Sequence, residues 1–169
     1  MKKFELTNEF ITNMFGTKLF RIRALVEFGD VEAGELGGYV EKESNLGHDD
    51  NAWVYDNAWV YGNARVYGDA QVSGDALVCG DARVCGNGDY AYAHGFGSVN
   101  RTTTFFRLKD GGVGVRCGCF YGTLAQFRDK IRETHGETKK AQEYLMLADL
   151  MELRFEEDEN EVGNRKYVE

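Results

Sequence analysis

The side chains able to do chemistry are few and scattered. Cysteines stand at 79, 85, 117 and 119, and histidines at 48, 94 and 135. A structural zinc site is usually built from two paired knuckles. Here Cys117 and Cys119 make a single C-x-C, and Cys79 and Cys85 have no such partner. That pattern fits thiols packed as small apolar groups, and no metal or cofactor is expected. Arg65 and Arg83 lie 18 positions apart with Tyr67 close to the first. Two stacked guanidinium groups could hold an anion or a carboxylate, although a solvated face is the simpler account. Trp53, Tyr55, Trp59 and Tyr61 are of the type that anchors protein interfaces.

The aromatic and arginine candidates all belong to one stretch, Asn51 to Gly86. It reads as six units of six: NAWVYD, NAWVYG, NARVYG, DAQVSG, DALVCG, DARVCG. A fixed period outranks any local propensity. Within each unit Ala and Val are two apart and share one side of an extended segment. Ala52, Val54 and their counterparts through Ala82 and Val84 therefore face inward. Gly followed by Asn or Asp suits a corner, because both tolerate positive φ. Three units make one three-sided coil, so residues 18 apart stack at about 4.8 Å. The outward positions then sort into three faces. The first carries Trp53 and Tyr55, then Gln71 and Ser73. The second carries Tyr39, Trp59 and Tyr61, Leu77 and Cys79. The third carries Asn45, Arg65 and Tyr67, Arg83 and Cys85. The second is the most apolar and must be covered by the helices, by the N-terminal strands, by another copy or by a partner.

Two coils are too short to stand alone, so the flanks must supply caps. Residues 1–37 read as an N-terminal β cap, with a short strand near Lys2–Thr7, a buried turn at Phe10 and Ile11, and alternation over Leu19–Leu25. Residues 38–98 read as the solenoid. Two irregular units around Val40 and Leu46 precede the regular ones, with a two-residue insertion near His48. Aromatics at Tyr90 and Phe96 continue the register beyond. Residues 99–155 read as a β-hairpin, turning at Lys109–Gly112, followed by two helices. Thr123 with Gln126 forms a capping box for the first. Leu124, Phe127 and Ile131 make its apolar stripe up to a Gly136 stop. The second runs from about Thr138 to Phe155, with Ala141, Tyr144, Leu145, Ala148 and Met151 on one side. Residues 156–169 read as a mobile acidic tail.

The chain has 169 residues, net charge −8 and no proline. The charge argues against non-specific nucleic-acid binding, and the missing proline suits laddered β-structure. No apolar run follows Met1-Lys2-Lys3 and no stretch is long enough to span a membrane. A cytoplasmic protein with reduced thiols is the expectation.

The aliphatic residue at every sixth position (Val54, Val60, Val66, Val72, Val78, Val84), with Ala two before it, resembles the hexapeptide-repeat superfamily. That resemblance implies a left-handed parallel β-helix. The expected fold is thus mainly β: that helix, an N-terminal β cap, and a C-terminal β-hairpin plus helical hairpin. The wording LFRIRAL…FGDVEAGELGGYVEKESNL and TTTFF…VRCGCFYGTLAQF…ETHG is similar to small hexapeptide-repeat proteins of phages, prophages and gut bacteria. It implies a non-enzymatic protein-binding module. More specifically, it implies a phage-encoded inhibitor of a bacterial defence system, anti-CRISPR-like, acting on a host protein such as a defence nuclease, with a homo-oligomer as a further expectation. The partner-binding candidates are Trp53, Tyr55, Trp59, Tyr61, Arg65, Tyr67 and Arg83. Two alternatives follow from the superfamily. One is an acyltransferase using acyl-CoA with His48 or His94 as general base, against which stand the short coil and the absence of a long loop. The other is a sponge for a nucleotide signal at an oligomer interface, held by Arg65 and Arg83. The superfamily's carbonic anhydrases need three zinc-bound histidines, a spacing His48, His94 and His135 do not have. His135 falls instead in the last turn of a helix, where a cation is favoured.

Overall fold

The structure, a computed structural model, describes residues 1–97 and 99–156. The tail expected over 156–169 lies, beyond Glu156, outside the described residues.

The six repeat units form six short strands: β4 (Trp53–Val54), β5 (Trp59–Val60), β6 (Arg65–Val66), β7 (Gln71–Val72), β8 (Leu77–Val78) and β9 (Arg83–Val84). They stack in parallel as the period requires, Trp53 on Gln71, Trp59 on Leu77 and Arg65 on Arg83. Every repeat alanine and valine is buried, none more than 1 % exposed. Ladder bonds such as Trp59 N–H to the Ala76 carbonyl (2.9 Å) and Arg65 N–H to the Ala82 carbonyl (3.0 Å) tie coil to coil. The corner glycines Gly62, Gly68, Gly74 and Gly80 all have φ between 62° and 66°, and Asp56 takes the same conformation at 55°. The N–H groups of three of them donate to acids of the preceding coil: Gly62 to Glu41 (2.7 Å), Gly68 to Asp50 (2.7 Å) and Gly74 to Asp56 (3.0 Å).

The N-terminal strands are β1 (Phe4–Thr12), β2 (Lys18–Ala24) and β3 (Leu36–Val40). They form an antiparallel set that joins the solenoid edge to edge, in the order β1-β2-β3-β5-β8. The expected border at residue 37 therefore falls inside β3. Gly37 and Gly38 allow that junction, because a Cβ there would lie 2.5 Å from the Val54 carbonyl oxygen and 2.6 Å from that of Ala58. Val40 stacks on Val60, twenty positions on, so the two extra residues lie between them as the insertion near His48 predicts. β1 is longer than expected and runs through Phe10 and Ile11. Phe10 is not buried but 46 % exposed, packing on Phe20 across the hairpin and lying under the Lys18 ammonium, 4.8 Å from its ring centre. The buried ammonium of Lys3 anchors this end. It donates to the Asp50 carboxylate (3.2 Å), the Asp50 carbonyl (3.0 Å) and the Ala52 carbonyl (2.7 Å), and burial lowers its pKa despite Asp50.

At the other end the aromatic continuation does not coil. Tyr90–Phe96 is one strand, β10, pairing antiparallel with β11 (Arg101–Arg107). β12 (Val113–Cys117) and β13 (Phe120–Thr123) complete a four-stranded sheet. The hairpin expected across Lys109–Gly112 is the β11–β12 connection. β11 carries the logic of the cap. Phe105 and Phe106 are adjacent and point to opposite sides, and both are fully buried. Phe106 closes the solenoid core, while Phe105 enters a second core made with the helices.

Those helices are α1 (Leu124–His135) and α2 (Lys139–Phe155). The Thr123–Gln126 capping box and the Gly136 stop are present. The helices cover the C-terminal sheet, with Phe127 edge-on to Phe105 at 5.9 Å. They do not lie on the second solenoid face. An aromatic-rich sheet surface needed the cover more than a narrow coil face did.

Candidate partner-binding site

The seven candidate residues are not equivalent. Trp53 cannot anchor a partner, because it is fully buried. Phe28 meets it edge-on at 5.3 Å and Phe4 at 6.3 Å. Tyr61 is also withdrawn, at 9 % exposure. Arg116 of β12 and Cys79 border it, and burial pushes the Tyr61 hydroxyl well above the usual phenol range and raises the Cys79 thiol. Tyr55, Trp59, Arg65, Tyr67 and Arg83 are half-buried.

On the third face Arg65 and Arg83 do stack. The Arg83 Nη1 is turned inward, donating to the Asn63 and Ala82 carbonyls at 2.8 Å each. Asn45, expected outward, is fully buried and donates to the Gly62 (3.2 Å) and Ala64 (2.9 Å) carbonyls in place of a strand.

On the first face Tyr55 borders a cleft of about 720 Å³. Its far wall is Tyr90, Tyr92 and Arg154. The Tyr90 hydroxyl donates to the Gln71 carbonyl at 2.6 Å and accepts from Ser73 N–H at 3.3 Å. Arg154 donates to the Asn87 (3.2 Å) and Tyr90 (3.4 Å) carbonyls. Asp30 and Asp56 make the rim acidic, and burial, then Glu35 and Asp30, raises the Tyr55 pKa.

The second face opens a groove of about 530 Å³ with Trp59 and Leu77 in its lining. Met14 and Val99, 67 % and 62 % exposed, line it as well. Asn57, Asp75, Arg101 and Thr102 supply polar groups around them. One wall is made by long-range folding. Met14 sits at the β1–β2 turn, where the Asn13 Oδ1 accepts from the N–H groups of Phe15 (2.9 Å) and Thr17 (3.0 Å). That turn reaches Arg116, whose guanidinium lies 5.3 Å from the Phe15 ring centre. Sequence reasoning did not single out Met14, Val99 or Arg101. The signal was an apolar pair, Met14-Phe15, just before a Gly-Thr bend, where a turn normally exposes polar residues.

The histidines lie apart, His48 in the loop before β4, His94 on β10 and His135 at the end of α1. His48 stacks on Phe4 at 4.3 Å and its Nδ1 accepts from Lys3 N–H at 3.1 Å. His94 lies 2.7 Å from the Thr102 hydroxyl across β10 and β11. His135 stacks on Tyr144. Of the thiols only Cys79 is fully buried, Cys85 and Cys117 are half-buried, and Cys119 is exposed on the β12–β13 turn. Among the described residues no three His, Cys, Asp or Glu side chains group to hold a metal ion. No described helix is long and apolar enough to cross a membrane.

With two stacked coils and their corner glycines in view, the sequence comparison is specific. The pattern of the YdcK beta solenoid repeat matches residues 58–74 and again 70–86. Residues 58–86 are β-solenoid repeat sequence. The match lies wholly within the regular coils and leaves both caps outside it. No curated protein matches the chain. The protein is mainly β, a β-solenoid repeat with small mixed sheets and two helices.

Proposed function

We propose that this protein is a non-enzymatic binding module and that the second-face groove receives a host protein. The single observation behind the reading is the uncovered pair Trp59 and Leu77, half-buried among the exposed side chains of Met14 and Val99. Apolar side chains left open in a concave groove are what a partner's anchor residues fill. The net charge of −8 favours a partner with a basic surface. The hexapeptide-repeat resemblance adds the finer part: a left-handed coil, a phage or prophage origin, and inhibition of a bacterial defence component, a CRISPR nuclease being one case. The action then takes place in the host cytoplasm.

The test is phage plating on a CRISPR-proficient host that expresses the protein. Wild type raises plating efficiency, and Leu77→Arg, which puts a charge in the groove, removes the gain while the purified variant keeps its melting temperature. No gain with wild type argues against the inhibitor reading. A gain that Leu77→Arg leaves intact argues against the groove.

An acyltransferase is less well supported. The Nδ1 of His48 is already bonded to backbone and its ring is stacked, and His94 sits on the C-terminal sheet away from it. The nucleotide-sponge reading rests on Arg65 and Arg83, and the inward turn of Arg83 weakens it.

A further inference from the structure

The C-terminal unit holds a pocket of about 230 Å³, distinct from the solenoid groove except for Arg101, which lines both. Helix α1 makes one wall. Phe127, Lys130, Ile131 and Thr134 line the pocket, and their spacings of three and four put them on one face. The turn between β12 and β13 supplies Cys119 and Phe120, and Arg101 stands at the start of β11.

The floor is apolar. Phe127 and Ile131 are buried, and Phe120 meets Phe127 with ring centres 5.8 Å apart. The charged groups are of one sign. Arg101 and Lys130 line the pocket together with His135, which stacks on Tyr144, and none of the described lining residues is Asp or Glu. In a protein of net charge −8 a lining of this sign stands out. Lys130 has an ion pair with Glu133, but it is long, at 3.8 Å, and exposed at both ends. Such a pair is weak and yields readily to a ligand. The C-x-C sequence also finds a place here. Gly118, between the two cysteines, has φ of +58°, and a Cβ there would run into Arg101 Nη1. Glycine lets the guanidinium lie against the turn at the pocket.

We propose that this pocket binds a small organic anion. Its apolar body, a single ring or a short branched chain, sits on Phe120, Phe127 and Ile131, and its carboxylate or phosphate head is held by Arg101 and Lys130. An apolar wall with a few converging polar groups is the usual make-up of a small-molecule site. Charge-assisted hydrogen bonds to the head supply direction as well as affinity. The volume sets the size of the occupant, since drug-sized ligands take roughly 300–1,000 Å³. The inference does not rest on the partner groove, and either can fail without the other.

Cys119 can report on the pocket, because it is exposed among the lining residues. Cys117 is less available: its Sγ accepts from the Thr103 hydroxyl at 3.2 Å and lies 3.9 Å from that of Tyr144. The experiment is alkylation of the full chain by iodoacetamide, with the rate at each cysteine read by mass spectrometry. It is run alone and with millimolar phenylacetate, phenyl phosphate or the neutral phenylacetamide. At least one of the two anions should slow Cys119 by about threefold, the protection expected at twice its dissociation constant. The half-buried Cys85 should keep its rate, and phenylacetamide should protect nothing. The stronger of the two anions identifies the head group. Lys130→Glu should abolish the protection and keep the melting temperature, since Lys130 is exposed. Protection by neither anion overturns the proposal. So does equal protection by phenylacetamide, or protection that Lys130→Glu leaves intact.

Discussion

Met14 Sδ lies 3.9 Å from an Nη atom of Arg116, 102 positions further along the chain. The contact joins the tip of the N-terminal hairpin to the C-terminal sheet past the whole length of the solenoid. It holds the turn that carries Met14, which lines the groove together with Trp59.

Arg116→Ala should release that tip. The guanidinium is 7 % exposed, lies over the Phe15 ring and borders Tyr61 and Cys79. Loss of the cation–π contact costs about 1 kcal/mol. Amide hydrogen exchange over residues 13–17 should speed up, with little change in the repeat valines. Unchanged exchange at the tip would mean that the hairpin holds its position without Arg116.

The corner glycines should differ sharply in tolerance. At Gly68 φ is +66°, and a Cβ would lie 2.6 Å from the Cys85 carbonyl oxygen. Gly68→Ala should destabilise by about 2 kcal/mol or more. At Gly86 the backbone is extended and a Cβ would meet nothing within 4 Å. Gly86→Ala should stay within about 0.5 kcal/mol of wild type. Urea unfolding of the two variants checks both.

Alkaline stability should carry a tyrosine signature. Burial, then the neighbouring Cys117, pushes the Tyr144 hydroxyl up to about 12. The folded state therefore holds this proton more tightly than the unfolded chain, whose tyrosines titrate near 10. The stabilisation is complete below pH 10 and is lost as pH rises from 10 towards 12. Tyr144→Phe should flatten the fall of stability across that window. An identical fall in the variant would assign the loss to other groups.

Much of the solenoid was legible because a period of six fixes side-chain direction residue by residue. Ala52 through Val84 are inside, Trp59 stacks on Leu77, and the two-residue insertion shows up in the Val40–Val60 register. Helix ends were legible too, since Thr123, Gln126 and Gly136 act within a single turn. What covers an outward residue was not. Trp53 is enclosed by Phe4 and Phe28, which lie far from it in sequence, and alternation within one strand carries no information about them. Tyr90 and Phe96 fit the hexapeptide spacing and still formed β10, because pairing with β11 satisfies a full strand where another short coil edge would not. The groove was hidden for the same reason: Met14, Trp59 and Val99 meet only once both caps are in place.

The most direct test of the groove as the functional site places a photo-crosslinking amino acid at Leu77, and in a second version at exposed Gln71 on the first face. Both are expressed in the bacterial host and irradiated. The groove reading predicts one dominant adduct with a host protein from position 77, absent from position 71 and lost when Trp59→Ala is added. Equal adducts from both positions, or none from position 77, would contradict it.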